Sequence, residues 1–213
     1  MAAKYKELQE LIMKGRTDKV KEMISSLLDN SNDPSDIIRD GIIGGMSIVG
    51  EKFSSGEMYI PEVMASANAA NVGTAILKPM VVEDKISTMH IGKIVIGTVK
   101  GDLHNIGKNI VSMLFESVGF EVVDLGVDIQ ADKFVTAVMQ EHPNILGLSA
   151  LLTTTMPEIK NVIDALEEAS VRDKVRVMIG GAPITQRFAN SVGADGYAPD
   201  GPSAVDRAKE LMD

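Results

Sequence analysis

The stretch Thr98-Val99-Lys100-Gly101-Asp102-Leu103-His104-Asn105-Ile106-Gly107-Lys108-Asn109 is the key to this chain. It follows a short apolar run, Lys93-Ile94-Val95-Ile96-Gly97, whose β-branched content marks a buried strand. It leads into Ile106, Ile110, Val111, Met113, Leu114 and Val118, which recur at roughly helical spacing. The stretch is therefore a strand-to-helix loop. In an open α/β sheet such a loop lies at the carboxyl ends of the strands, where ligands bind. Gly101 and Gly107 allow a sharp turn and a close approach to something large. Between them stand one carboxylate and one imidazole, two residues apart.

The alternation of strand and helix continues to the end of the chain. Strands are expected near 93–98, 121–125, 144–149, 175–179 and 195–197. Helices are expected near 106–118, 131–141, 156–170, 184–191 and 201–212. Gly119 and Phe120 close the first of these helices, Pro143 closes the second and Pro157 opens the third. Five strands with intervening helices predict a parallel sheet with right-handed crossovers, the flavodoxin-like (Rossmann-type) doubly wound class. His142, just before Pro143, reads as an exposed helix-end residue.

Residues 1–80 hold helical patterns only. Tyr5, Leu8, Leu11 and Ile12 mark a first helix, with Gly15 as its C-terminal cap. Thr17 or Asp18 is the expected N-cap of a second, carrying Val20, Met23, Ile24, Leu27 and Leu28. Asp33 as N-cap and Pro34 at the first helical position start a third, which runs to about Phe53. Ser54-Ser55-Gly56 breaks it, and a fourth helix runs from near Pro61 to about Pro79. Four helices with short connections predict an antiparallel bundle. Residues 81–92 are the expected linker, with His90 solvated, and 93–213 form the α/β domain.

The third helix contains Gly41, Gly44, Gly45 and Gly50. Each costs roughly 1 kcal/mol relative to Ala in a helix interior. Two compensations are open. One is close helix–helix packing. The other is a smooth surface, with Gly44, Gly45, Met46 and Val49 covering a flat, bulky partner.

The formal net charge of −9, with no basic stripe, argues against nucleic-acid binding. Without cysteine there is no disulfide framework and no thiolate metal site. The N-terminus runs straight into an amphipathic pattern, with no signal peptide and no apolar run of membrane-spanning length. A soluble, cytoplasmic protein is expected. Aromatic residues are few, whereas the 13 methionines suit irregular gaps and adaptable surfaces.

A lone imidazole gives a metal one protein bond. That is too few for a zinc site, but it suits an axial ligand to a metal already held in a macrocycle. A ligating His usually donates its other N–H to a carboxylate or carbonyl, and Asp102 can take that role for His104. Asp102-Leu103-His104-Asn105-Ile106-Gly107 resembles the D-x-H-x-x-G motif of cobalamin-binding domains. Ser149-Ala150-Leu151 and Gly180-Gly181 resemble that family's S-x-L and late G-G segments, in the same order and each after a predicted strand. Phe53-Ser54-Ser55-Gly56-Glu57-Met58-Tyr59-Ile60-Pro61-Glu62 is similar to the F-x-x-G-x-x-x-x-P-E stretch of the helical domain that caps the corrinoid in methyltransferase corrinoid proteins. The resemblance covers both domains. It is to stand-alone corrinoid proteins of methylamine, quaternary-amine, methanol or methoxy-aromatic methyltransferase systems, and to the cobalamin-binding module of methionine synthase.

The resemblance implies cobalamin bound base-off, with His104 as the axial ligand to cobalt and the displaced nucleotide tail in a slot of the α/β domain. It implies cofactor-binding roles for Asp102, His104, Gly107, Ser149, Leu151, Thr153, Thr155, Gly180 and Gly181. Thr155 stands where methionine synthase modules carry a serine that extends the His–Asp pair. Asp124, Gly126 and Asp128 read either as surface-loop residues or as contacts to the cofactor's amide side chains.

The implied role is that of a methyl carrier. A substrate-specific corrinoid methyltransferase loads the cobalt, and a second methyltransferase passes the methyl group to coenzyme M or tetrahydrofolate. A reductive activating protein rescues oxidised cobalt, and the helical cap swings on the linker to expose the cofactor to each partner. No Ser/His/Asp set, metal-ligand cluster or P-loop offers a second chemistry. The alternative is a cobalamin-dependent sensor, which would have to work without a DNA-binding segment.

Overall fold

Leu8, Ile12, Val20 and Ile24 have 0–1% of their surface exposed, as their helical spacing requires. They line the inner faces of α1 (Lys6–Met13) and α2 (Thr17–Asp29) in the structure, a computed structural model that describes residues 5–81 and 90–212. Gly15, at φ +61, ends α1: its N–H reaches the Ile12 carbonyl and the Arg16 N–H reaches that of Leu11. This turn runs directly into α2, so Arg16 occupies the N-cap and Thr17 is already the first helical residue. The expected Thr17 or Asp18 cap is corrected by that short connection.

The Asp33 carboxylate accepts the Ser35 N–H at 2.8 Å and starts α3 (Pro34–Asp36), with Pro34 in its first turn. The helix continues through a π-helical segment, Ile37–Ile43, into α4 (Gly44–Ser54). α5 (Ile60–Leu77) and a 3-10 turn (Lys78–Met80) complete this part. Glu62 accepts the Tyr59 N–H at 2.9 Å, one half of a capping box. α1 packs against α2, α4 and α5, and α5 also packs against α2 and α4.

This packing accounts for three of the four glycines in the 34–54 helix. A Cβ at Gly41 would lie 2.6 Å from Leu8 Cδ2, one at Gly44 2.9 Å from Gln9 Nε2, and one at Gly45 3.1 Å from Gln9 Cα. The three glycines let the 34–54 helix lie close against α1. Met46 and Val49 are buried. Of the two compensations open from the sequence, close helix–helix packing is the one observed for Gly44 and Gly45.

The second part holds β1 (Gly92–Thr98), α6 (Ile106–Ser117), β2 (Phe120–Asp124), α7 (Ala131–Glu141), β3 (Ile145–Ser149), α8 (Met156–Glu168), β4 (Arg176–Gly180), α9 (Gln186–Val192), β5 (Gly196–Tyr197) and α10 (Gly201–Glu210). The sheet is parallel, in the order β2-β1-β3-β4-β5. Its strands read as continuous apolar runs because helices cover both faces. Val95, Leu146, Leu148, Val177 and Ile179 pack with Phe134, Ile159, Ile163 and Leu166 in one core cluster. Phe120, expected to close α6, instead opens β2 after Gly119 turns the chain at φ +99. His142 is exposed at the C-cap of α7, with φ +47.

The chain divides into two compact units. One spans Met1–Ile91 with Glu116–Phe120, the other Gly92–Phe115 with Glu121–Asp213. Of the expected linker, residues 82–89 lie outside the described residues. His90, expected to be solvated, is half-buried, with Nδ1 3.3 Å from the Gly119 carbonyl oxygen.

Candidate functional site

The sheet order reverses between β1 and β3, and a doubly wound sheet opens a crevice at its carboxyl edge at such a point. The strand register brings the three sequence motifs to that edge together. Thr98 pairs with Ser149, and Ser149 pairs with Gly180. The 98–109 loop, the 149–155 loop and the Gly180-Gly181 turn therefore leave the sheet side by side.

The first loop is built around a turn. The Asp102 N–H donates to the Val99 carbonyl at 3.1 Å, and Gly101, third in the turn, has φ +77. A positive φ at that position is why a glycine stands there. Asp102 then points inward and is fully buried. Its Oδ1 accepts the His104 N–H at 3.0 Å and lies 2.7 Å from His104 Nδ1. Its Oδ2 accepts the Leu151 N–H at 2.7 Å, the Leu152 N–H at 3.3 Å and the Thr155 hydroxyl at 2.8 Å. Burial pushes the carboxyl group's pKa up. The hydrogen bonds from Leu151, His104 and Thr155 outweigh burial and hold it well below the usual carboxylate range.

An ionised Asp102 keeps the imidazole proton on Nδ1, so the lone pair on Nε2 is the one available to a metal. The His104 side chain is 51% exposed, and Nε2 has no partner among the described residues. The buried Thr98 hydroxyl fixes the same residue from below by donating to the His104 carbonyl at 2.9 Å.

Thr155 stands at the N-cap of α8, but its hydroxyl does not cap that helix. It is directed to Asp102 Oδ2, with the Leu152 carbonyl 3.0 Å away as a second acceptor. With one proton to give, the charged acceptor is the stronger partner. The hydroxyl therefore serves Asp102 and not the helix end, and the extra methyl of threonine does not prevent that bond.

Ser149 is half-buried at the end of β3; Leu151 and Thr153 are exposed in the loop beyond it. Gly180-Gly181 answers first to the protein. A Cβ at Gly181 (φ +134) would sit 1.9 Å from the Ala150 carbonyl oxygen, so only glycine allows this turn to close on the β3 loop.

Gly107 differs. It lies in the first turn of α6, and a Cβ there would meet nothing within 4 Å. No contact among the described residues requires a glycine there. In the same loop Leu103 and Ile106 are 70% and 77% exposed, and Leu151 and Leu152 are both 41% exposed in the loop after β3. An available imidazole nitrogen, a glycine with room over it and a rim of exposed apolar side chains fit a large, flat, largely apolar metal macrocycle. No grouping of three or more His, Asp or Glu side chains that could hold a metal ion occurs among the described residues.

Four residues, Thr98, Lys108, Asp124 and Asp128, were not singled out from the sequence as parts of the loop's framework. Thr98 reads there as an ordinary strand residue. Lys108 has a side chain only 1% exposed, paired with Asp124 and hydrogen-bonded to Asn109 Oδ1 at 2.9 Å. Asp128 accepts the Gly101 N–H at 2.7 Å, and Asp124 accepts the Gly126 N–H at 2.8 Å. Asp124 and Asp128 thus serve the loops themselves. A lysine in the first turn of a helix, against the helix dipole, is the one signal in the sequence that could have been noticed.

Known proteins match this arrangement over both parts of the chain. Residues 92–208 match one B12 binding domain family, and residues 5–78 match a second. A corrinoid protein of Desulfitobacterium hafniense is 42% identical over 97% of this chain and 96% of its own length. The dimethylamine corrinoid protein 1 of Methanosarcina acetivorans is 46% identical over 84% of each. The methanol:cobalamin methyltransferase complex of Methanosarcina barkeri contains a chain that superposes with a TM-score of 0.88 at 32% identity, covering 96% of this chain and 78% of that one. Fold and site together define a B12-binding protein with a helical domain ahead of its α/β domain. The chain belongs to the corrinoid proteins of methyltransferase systems.

Proposed function

We propose that this chain is a methyl carrier that holds cobalamin base-off, with His104 Nε2 as the lower axial ligand of cobalt. The observation that carries this reading is His104 itself: Nδ1 rests on a buried, hydrogen-bonded carboxylate, while Nε2 has no partner among the described residues. When bound, the corrinoid supplies a cobalt centre that accepts and releases a methyl group.

The protein's part is to bind and orient. Asp102 fixes the imidazole tautomer and its direction, and Thr98 and Thr155 fix the backbone and the carboxylate. The loops after β1 and β3, with Ser149, Leu151, Thr153 and the Gly180-Gly181 turn, receive the displaced nucleotide tail. Exposed hydroxyls and backbone N–H groups suit its phosphate and ribose, and the apolar rim suits the ring.

The methyl group comes from a methylated amine, methanol or a similar substrate through a substrate-specific methyltransferase. It leaves through a second methyltransferase acting on coenzyme M or tetrahydrofolate, and a reductive activating protein restores the carrier. The named relatives, one a dimethylamine protein and one part of a methanol complex, support this class of donor. No helix among the described residues is long and apolar enough to cross a membrane. Action in the cytoplasm is part of the same reading.

The test is reconstitution of the full chain with hydroxocobalamin, removal of free cofactor, and visible and EPR spectra beside a His104→Ala variant. A retained base-off, His-ligated spectrum that the variant loses supports the reading. A wild-type chain that retains no corrinoid in any redox state overturns it.

A further inference from the structure

The turn that carries Asp102 and His104 is gripped from two sides. One side is the loop after β3, whose N–H groups and hydroxyl converge on the Asp102 carboxylate. The other is the loop after β2, which runs alongside the turn. Thr98 donates its N–H to the Gly126 carbonyl at 3.0 Å, and Ile129 donates to the Thr98 carbonyl at 3.0 Å. The contact ends on Asp128.

Asp128 has φ +56, a left-handed conformation that Asp adopts more readily than most residues. That conformation turns two groups of opposite polarity toward the site. The Asp128 N–H donates to the main-chain carbonyl of Asp102 at 3.0 Å. Its carboxylate Oδ1 accepts the Gly101 N–H at 2.7 Å. One residue thus holds the two peptide units that flank the Gly101–Asp102 peptide, and the first of them ends at Gly101, the joint with the greatest backbone freedom in the turn.

We infer that Asp128 is a positioning residue for His104: by clamping the Gly101–Asp102 turn it sets the height and tilt at which the imidazole is presented. The inference rests on the reading of His104 as the lower cobalt ligand. Asp128 takes no part in the chemistry. Its effect passes through the Gly101 and Asp102 backbone to His104, two residues on. Because the carboxylate is exposed, water replaces it in part when it is removed, and the effect is graded.

Two variants separate the carboxylate from the backbone. Asp128→Gly keeps a positive φ without strain and keeps the N–H, so it removes only the side-chain bond. Asp128→Asn keeps an acceptor oxygen and tolerates the same φ. On the full chain without corrinoid, amide hydrogen exchange at Gly101 and its neighbours is expected to accelerate about ten-fold in Asp128→Gly, as for loss of one hydrogen bond. Asp128→Asn is expected to stay near the wild type. On the chain loaded with hydroxocobalamin and reduced to Co(II), the fraction showing nitrogen superhyperfine splitting from His104 is expected to fall in Asp128→Gly and to recover in Asp128→Asn.

Unchanged exchange in Asp128→Gly overturns the clamp. Faster exchange with an unchanged His-ligated fraction overturns its role in positioning His104. A wild-type chain that takes up no corrinoid sinks the carrier reading instead, and with it the ligand half of this inference; the exchange measurement then decides by itself whether Asp128 holds the turn.

Discussion

The hydroxyl of Thr155 lies 2.8 Å from Asp102 Oδ2, although the two residues are 53 apart in the chain. Both are buried, and the bond joins the loop after β1 to the start of α8. Thr155→Val keeps the shape and removes the donor, and is expected to cost about 1–2 kcal/mol. Thr155→Ser keeps the donor and loses one methyl group, and is expected to cost at most about 1 kcal/mol. Urea unfolding of the three chains checks the order. A valine variant as stable as the wild type would show that the bond contributes nothing.

Asp102 makes the fold sensitive to acid in a defined direction. Its folded pKa is depressed, so its stabilising contribution is fully present above its unfolded value of about 4 and is lost as pH falls through the lower folded value. Between those two values the unfolded chain binds a proton that the folded chain does not, which removes about 1.4 kcal/mol per pH unit. Asp102→Asn is expected to be less stable at neutral pH by about 2–5 kcal/mol, because its amide group meets donors already aimed at a carboxylate. It is also expected to show a shallower loss of stability below pH about 4. Parallel stability–pH curves for the two chains would refute the assignment.

Gly107 separates folding from binding. Alanine there meets no atom within 4 Å and sits in a helix, so Gly107→Ala is expected to leave stability unchanged or raise it by up to about 1 kcal/mol. The same methyl group enters the space assigned to the corrinoid, and uptake of hydroxocobalamin is expected to fall at least about ten-fold. Thermal unfolding and a spectroscopic titration of one sample check both. A stable variant with wild-type uptake would mean that the space over Gly107 is not the binding surface.

Gly181 should behave in the opposite way. A Cβ at 1.9 Å from the Ala150 carbonyl oxygen, on a backbone at φ +134, forces the turn after β4 away from the β3 loop. Gly181→Ala is expected to destabilise the chain without cofactor by about 3 kcal/mol or more. Denaturant unfolding measures it, and a loss below about 1 kcal/mol would contradict the close contact.

Much of this was legible in the residues. β1, β3 and β4 are short apolar runs between turn signals, because a sheet covered on both faces buries most side chains along its central strands. Periodicity therefore located the strands to within a residue or two. The D-x-H-x-x-G spacing could be read because its parts are local: a turn at Gly101, a carboxylate two residues before an imidazole, and a helix start.

What the residues left undecided are choices between partners. The spacing of Gly41, Gly44 and Gly45 calls for a close neighbour but does not name it, and the fold supplies α1. The π-helical run at Ile37–Ile43 changes which backbone groups bond while leaving the apolar pattern helical. Thr155 at a helix start predicts a cap, yet its hydroxyl bonds Asp102 because the register of β1 on β3 brings a charged acceptor within reach. Asp128, which reads from the sequence as a surface-loop residue or a contact to the cofactor's amide side chains, is brought to Gly101 only because the β2 loop lies alongside that turn. The sequence by itself determined the elements, their order and the His–Asp pair, since these depend on nearest neighbours. Only the tertiary structure decided which donors converge on Asp102 and which groups hold the turn, because hydrogen bonds between distant residues depend on how strands align and loops pack.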